Sequence, residues 1–153
     1  MPPVFDVHLQ RHCRRLIASH RRWTGRDLAP GLGTLEHPAQ AVFDLPCVVV
    51  SHGTEPDPIL NFGNQTALTL WEMTWEELTS TPSRLTAEPM LREERARLLE
   101  RVTTHGYIDD YAGIRISKSG KRFRIEQATV WNLVDEDGAP CGQAATFSKW
   151  TDL

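Results

Sequence analysis

Few residues in this 153-residue chain combine type and spacing into chemistry. His8 and His12 stand four apart with Cys13 beside the second. On a helix that spacing offers two or three ligands to zinc, whose closed sites take four. No second ligand pair stands out, so the three residues also read as the polar flank of an amphipathic helix, and no metal site is expected. His52, Glu55 and Asp57 share the segment SHGTEPDP (Ser51–Pro58). A histidine near carboxylates is the raw material of a general base. No nucleophile or oxyanion motif accompanies it, and in a stretch so rich in turn residues His52 and Asp57 are expected to brace the loop. Asp109 and Asp110 are adjacent, so strand alternation sends them to opposite faces and no dyad forms. The chain is therefore expected not to be an enzyme.

Gln127 and Thr129 pose a different question. They alternate with Phe123, Ile125, Trp131 and Leu133. If that face looks onto helices, two polar groups are buried and need partners. A bound small molecule or water would supply them, as would a side chain on a neighbouring strand such as Thr146.

Cys13, Cys47 and Cys141 are odd in number and scattered. That argues for a reducing compartment, the cytoplasm, and against a disulfide framework. Cys47, in an apolar run, reads as buried and inert. The first 26 residues carry six arginines against the single acid Asp6, while the rest is acid-rich. Such an arm would suit phosphate. No recognition-helix motif or interleaved aromatics accompany it, so nucleic acid is not an expected partner. No apolar run approaches the ~20 residues of a membrane span, and the N-terminal stretch lacks the features of a secretory signal.

The elements that must position these residues follow from periodicity and punctuation. Phe5, Leu9, Cys13, Leu16 and His20 recur at helical spacing, predicting a helix from Val4 to about Trp23 that stops at Gly25. Asp27–His37 reads as a connector. Pro46–Val50 and Ile59–Phe62 read as two short strands around a turn-rich loop. Asn64 caps a helix over Gln65–Glu72, and Thr74 with Glu77 fits a capping box. Arg92–Thr104 is a helix with a stripe of the Arg95 stem, Leu98, Leu99 and Val102, ended by Gly106. Three strands follow: Tyr107–Ile116, Arg122–Val134 and Ala144–Trp150. Helix, two strands, helices and a three-stranded meander make an α+β domain with one antiparallel sheet.

That order resembles the PAS fold, a five-stranded antiparallel sheet with helices over one face enclosing a small cavity, to which this chain adds an N-terminal helix. The turns Lys118–Phe123 and Val134–Gly138 and the segment Ile59–Ala67 carry the likeness. SHGTEPDPILNFGN (Ser51–Asn64), PSRLTAEP (Pro82–Pro89), REERARLLE (Arg92–Glu100), Gly106–Gly138 and GQAATFSKW (Gly142–Trp150) together resemble the MEKHLA domain, a PAS-related family. The resemblance spans Leu35 to Trp150 and points to the standalone bacterial members. It divides the chain into an N-terminal helix with connector, residues 1–34, and a MEKHLA/PAS-like domain, residues 35–153.

The resemblance implies a sensory or small-ligand-binding module without catalysis. Its signal would leave through contact with a protein partner, with a homodimer as the expected assembly. The alternative is a ligand-free dimerisation or interaction scaffold with a self-filled core. Combining it with the alternation predicts a ligand cavity. Its walls would be Val50 and Phe62 from the first strands and Leu68 and Trp71 from the following helix. Leu98 and Val102 would come from the long helix, and Ile125, Gln127, Thr129, Ala144 and Thr146 from the last strands. The cofactor, if any, stays unknown. The cysteine motif of flavin-adduct photoreceptors is missing, and His105 stands too late on its helix to ligate haem, so neither flavin nor haem is expected. The N-terminal stripe is expected to dock on the outer face of the sheet or in a symmetric dimer.

Overall fold

The computed structural model describes residues 3–87 and 92–153. Helix α1 (Val7–Thr24) starts three residues later than its apolar stripe suggests. Asp6 sets that start: its backbone is extended and its carboxylate accepts the Leu9 N–H at 2.9 Å. Gly25 stops the helix at φ 74°, in the left-handed region, where its N–H reaches the Arg21 carbonyl. After a helical turn at Leu32–Thr34 comes a helix that periodicity did not reveal, α2 (Ala39–Phe43), too short to show a period.

Strands β1 (Val48–His52) and β2 (Leu60–Gly63) pair antiparallel. Asn64 then caps α3 (Gln65–Trp71), and Thr74 and Glu77 form the expected capping box on α4 (Trp75–Leu78). Helix α5 (Arg92–His105) leads into β3 (Tyr107–Ile116) and β4 (Arg122–Val134). The Arg95 side chain expected on its stripe lies outside the described residues. The expected last strand is two strands, β5 (Pro140–Phe147) and β6 (Lys149–Asp152), divided at Ser148. The sheet runs β2-β1-β5-β4-β3, with β6 beside the first part of β4, and every pairing is antiparallel.

The sheet has two buried faces. On the inner face Val48, Phe123, Ile125, Ala128 and Phe147 meet Ala67 and Trp71 of α3, and Val130 and Ile108 meet Leu98 and Val102 of α5. On the outer face Leu9, Cys13, Leu16 and Ile17 of α1 pack on Val49, Phe62, Trp131, Leu133 and Ala144. The N-terminal helix thus docks on the outer face of its own sheet. Polar contacts fix its register. Ser19 Oγ accepts from the Val134 N–H at 3.0 Å, and the Trp23 indole donates to the Asn132 carbonyl at 2.9 Å. Gly106 (φ 90°), at the end of α5, lies beneath the Trp23 ring; a Cβ there would come within 2.4 Å of it.

Strand β4 departs from simple alternation. Gln127 has φ 52°, and between the pairs Tyr111↔Ala128 and Gly113↔Ile125 three steps of β4 oppose two of β3. This bulge moves every later side chain to the opposite face. Phe123 and Ile125 look inward, and so do Ala128 and Val130, while Trp131 and Leu133 pack under α1. Val130, placed on the outer face by unbroken alternation, is an inner-face residue.

Candidate functional site: a cavity between helices and sheet

A cavity of about 70 Å³ lies between the inner face and the helices. Val50 of β1, Leu60 of β2, Ile125 and Val130 of β4, and Ala145 and Phe147 of β5 form its floor. Trp71 of α3 and Leu98 and Leu99 of α5 close it from the helical side, and Ser83 and Thr86 come from the helical turn Ser83–Thr86. Tyr111 and Arg115 of β3 stand on one side of it, and Ser51 and His52 of β1 with Gln143 of β5 complete it. The walls are mostly apolar, as in small-molecule sites generally.

Two polar groups on these walls lack acceptors. The Trp71 side chain is 3% exposed and held edge-on to Phe123 and Phe147, with ring centroids 5.4 and 6.1 Å away. Its indole N–H is buried with no partner among the described residues. The Arg115 guanidinium lies over the Tyr111 ring at 5.2 Å, and its Nη1 is buried with no hydrogen-bond partner among the described residues. A donor left unpaired in this way costs about 1–3 kcal/mol, more when charged.

The expected cavity residues separate into three groups. Val50, Trp71, Leu98 and Ile125 lie on the wall; Ala144 borders it, its methyl belonging to the α1 cluster. Val102 lies behind it, packed on Ile108 and the floor residue Val130, and Leu68 packs with Phe43, Leu60 and Leu78. Phe62, Thr129, Thr146 and Gln127 are elsewhere. Phe62 sits on the outer face between His12 and Trp75, because β2 pairs it with outward-facing Ser51. Thr129 and Thr146 do pair, but outside the bulge's inward register, and Thr146 donates to Cys47 Sγ. Gln127, at the bulge itself, is exposed and accepts from Lys149 Nζ at 3.0 Å. Tyr111 and Arg115 were missed. The signal was their spacing of four on β3, which puts both on one face of a strand.

The other candidates disperse. Cys13 is buried in the core, with its thiol pushed up to about 12 by burial, while His8 is exposed and His12 bonds to Ser51 Oγ at 2.8 Å. Burial, with Arg15 nearby, lowers His12 to about 4. Asp57 pairs with Arg84 at 3.1 Å, Glu55 accepts the Ile59 N–H, and His52 Nδ1 meets the Gly53 carbonyl. The loop is braced, through Arg84 as well as the backbone. Asp109 and Asp110 are both exposed, because the β3 register slips beside them, and His105 is exposed at the helix end.

A family profile for the MEKHLA domain matches residues 10–152. Two Arabidopsis thaliana proteins, homeobox-leucine zipper proteins ATHB-9 and ATHB-14, are 30% and 29% identical over 98 residues, 64% of this chain. The match spans only 12% of each of those proteins. Among solved structures, the PAS domain of a Colwellia psychrerythraea protein superposes with TM-score 0.65 at 17% identity, covering 78% of this chain and 97% of that one. An RNA-binding light-oxygen-voltage receptor gives 0.58 at 16% identity, covering 82% of this chain and 33% of that receptor. A variant of the protein Vivid gives 0.54 at 13% identity, covering 67% and 81%. These likenesses establish the fold. Among the described residues no helix is long and apolar enough to cross a membrane.

Proposed function

The chain belongs to the MEKHLA domain family and has the PAS fold, and from that premise we propose that it is a sensory module that binds a small molecule in the inner cavity. The observation that carries this reading is the cavity itself, apolar on most sides and bordered by Trp71 and Arg115, each with a buried donor that finds no acceptor among the described residues. The ligand is small. Pockets for drug-sized molecules run to ~300–1,000 Å³, so a space of about 70 Å³ excludes a flavin or haem unless side chains move. No catalytic step belongs to this reading. An indole N–H and a guanidinium are hydrogen-bond donors that bind and orient.

The signal leaves by contact with another protein, and a homodimer is part of the proposal. The apolar stripe of α1 is not the dimer surface, because the sheet already covers it. Nor do the N-terminal arginines favour nucleic acid: Arg15 pairs with Glu136, Arg21 with Asp27, and Arg14 donates to the Glu36 carbonyl. Three unpaired cysteines suit a cytoplasmic setting. A second reading, a ligand-free interaction scaffold, is favoured by how far Trp71, Phe123 and Phe147 already fill the core.

Native mass spectrometry of freshly purified protein, followed by thermal-shift screening of small metabolites, separates the two. The ligand reading expects a retained or stabilising small molecule whose effect disappears in Ala145→Leu, which fills the cavity. Bare protein mass with no stabilising compound would leave the scaffold reading.

A further inference from the structure

We propose that the cavity takes a short-chain monocarboxylate, its carboxylate held by the Arg115 guanidinium and the Trp71 indole N–H. This inference rests on reading the cavity as a ligand site. The apolar end of the molecule lies against Val50, Leu98, Ile125 and Phe147.

The elements that carry the two donors are fastened to each other. Arg115 stands near the end of β3, two residues before Ser117, and Trp71 is the last residue of α3. The turn after β3 is fastened to that helix end. The Lys118 N–H donates to the Trp71 carbonyl at 3.0 Å, and the hydroxyls of Ser117 and Ser119 both donate to the Glu72 carboxylate. Trp71 is also braced by two rings, and Arg115 lies on Tyr111. Both side chains are thus braced at the cavity wall, which lowers the ordering cost of binding.

Charge selects the class. A guanidinium stays protonated in proteins. Arg115 is half-buried with its Nη1 sealed from solvent, and among the described residues no carboxylate pairs with it, so its inner end lacks a counter-ion. Water would accept the hydrogen bonds but leave the charge unbalanced. A monoanion balances it; a dianion would leave a negative charge among apolar walls. A planar carboxylate also matches the guanidinium fork. Size sets the length. At roughly 10–15 Å³ per water-sized position, the cavity takes a molecule of about five non-hydrogen atoms. Propionate and butyrate are of that size.

The test is calorimetric titration of the full chain with sodium butyrate, 1-butanol, inorganic phosphate and sodium chloride at matched ionic strength. Butyrate is expected to bind one to one, about tenfold or more tighter than 1-butanol, because the alcohol brings neither a negative charge nor a second acceptor oxygen to the guanidinium fork. Arg115→Gln should remove that advantage, weakening butyrate far more than 1-butanol. Trp71→Phe, which keeps the ring packing and deletes the N–H, should weaken butyrate about fivefold. Equal binding of butyrate and 1-butanol overturns the carboxylate and leaves the cavity as a ligand site. Phosphate binding as tightly as butyrate overturns the monocarboxylate in favour of a general anion site. Heat with none of the four ligands overturns this inference, while a different stabilising metabolite would still sustain the ligand reading. If Arg115→Gln does not fold, Trp71→Phe decides: unchanged butyrate affinity overturns the assignment.

Discussion

His12 makes native stability depend on pH through one identifiable contact. Its imidazole is half-buried between Phe62 and Ser51, and burial lowers it from 6.5 to about 4. Unfolded, it titrates near 6.5, so between those values the unfolded state binds a proton that the native state refuses. Stability is therefore lost as pH falls from about 6.5 towards 4, by up to about 3 kcal/mol. His20 is lowered as well, chiefly by burial, and adds in the same direction. Urea midpoints at pH 7 and pH 5 should differ, and His12→Gln should shrink the difference; an unchanged slope would exonerate His12. The lowered carboxylates Glu55, Glu72, Glu77 and Glu136 act only below about pH 4.5, outside that comparison. Burial also separates two residues that look alike in sequence, the caps Asp6 and Asn64. Asn64 is fully buried; it accepts from the Val49 and Ala67 N–H groups and donates to the Cys47 and Val42 carbonyls. Asp6 is exposed and makes one cap bond. Asn64→Ala is expected to cost roughly 2–4 kcal/mol and Asp6→Ala about 1 kcal/mol, read from chemical unfolding. The cap function of Asn64 was legible from its place before a helix. Its bonds to Val42, Cys47 and Val49 were not, because they come from chain segments that only the fold brings near.

Among the elements, β4 shows where reading by alternation fails. Its bounds, Arg122 to Val134, match the sequence pattern, as do those of β3. The face of each side chain beyond Gln127 does not, because a bulge has no compositional mark when its left-handed residue is not glycine. The error spread: Thr129, Phe62 and Thr146, drawn into one inner face, all belong to the outer one. Both faces of this strand are buried, so apolar residues occur on either parity and the sequence cannot report the slip. Deleting Gln127 should therefore send Trp131 and Leu133 inward and yield a protein without cooperative unfolding, whereas Gln127→Gly should fold. A deletion variant that melts normally would show that the bulge is dispensable. The N-terminal helix was the reverse case, an apolar stripe legible from the sequence whose docking site needed the sheet. Leu16 is fully buried against that sheet. Leu16→Ala is expected to cost about 2–5 kcal/mol in unfolding free energy, and removing residues 1–26 should lower the melting temperature sharply.

At the scale of the whole molecule, the antiparallel sheet with helices on one face was legible because strand, turn and cap signals agreed with one another. The cavity was only half legible. Four wall residues followed from helix stripes and inner-strand parity, while Arg115 was overlooked because a charged residue on an edge strand reads as solvated. What turns it inward is the tertiary setting: its pairing opposite buried Phe123 and the Tyr111 ring beneath it. The domain consists of a sheet covered on both sides, and the two covers meet where Trp23 of α1 lies on Gly106 at the end of α5.

The order in which the chain is made gives α1 a history as well as a place. Ser19 bonds to Val134, 115 residues later, and Trp23 to Asn132, 109 later. At about 5–20 residues per second, the helix leaves the ribosome several seconds before its docking strands exist. Its stripe of Leu9, Cys13, Leu16 and Ile17 waits in water, or on a chaperone, through that interval. Nascent chains stalled at Ser117 should be cut by protease within α1, and chains extended until β5 has cleared the exit tunnel should resist. An element translated before every strand of its sheet is thus among the last to find its place.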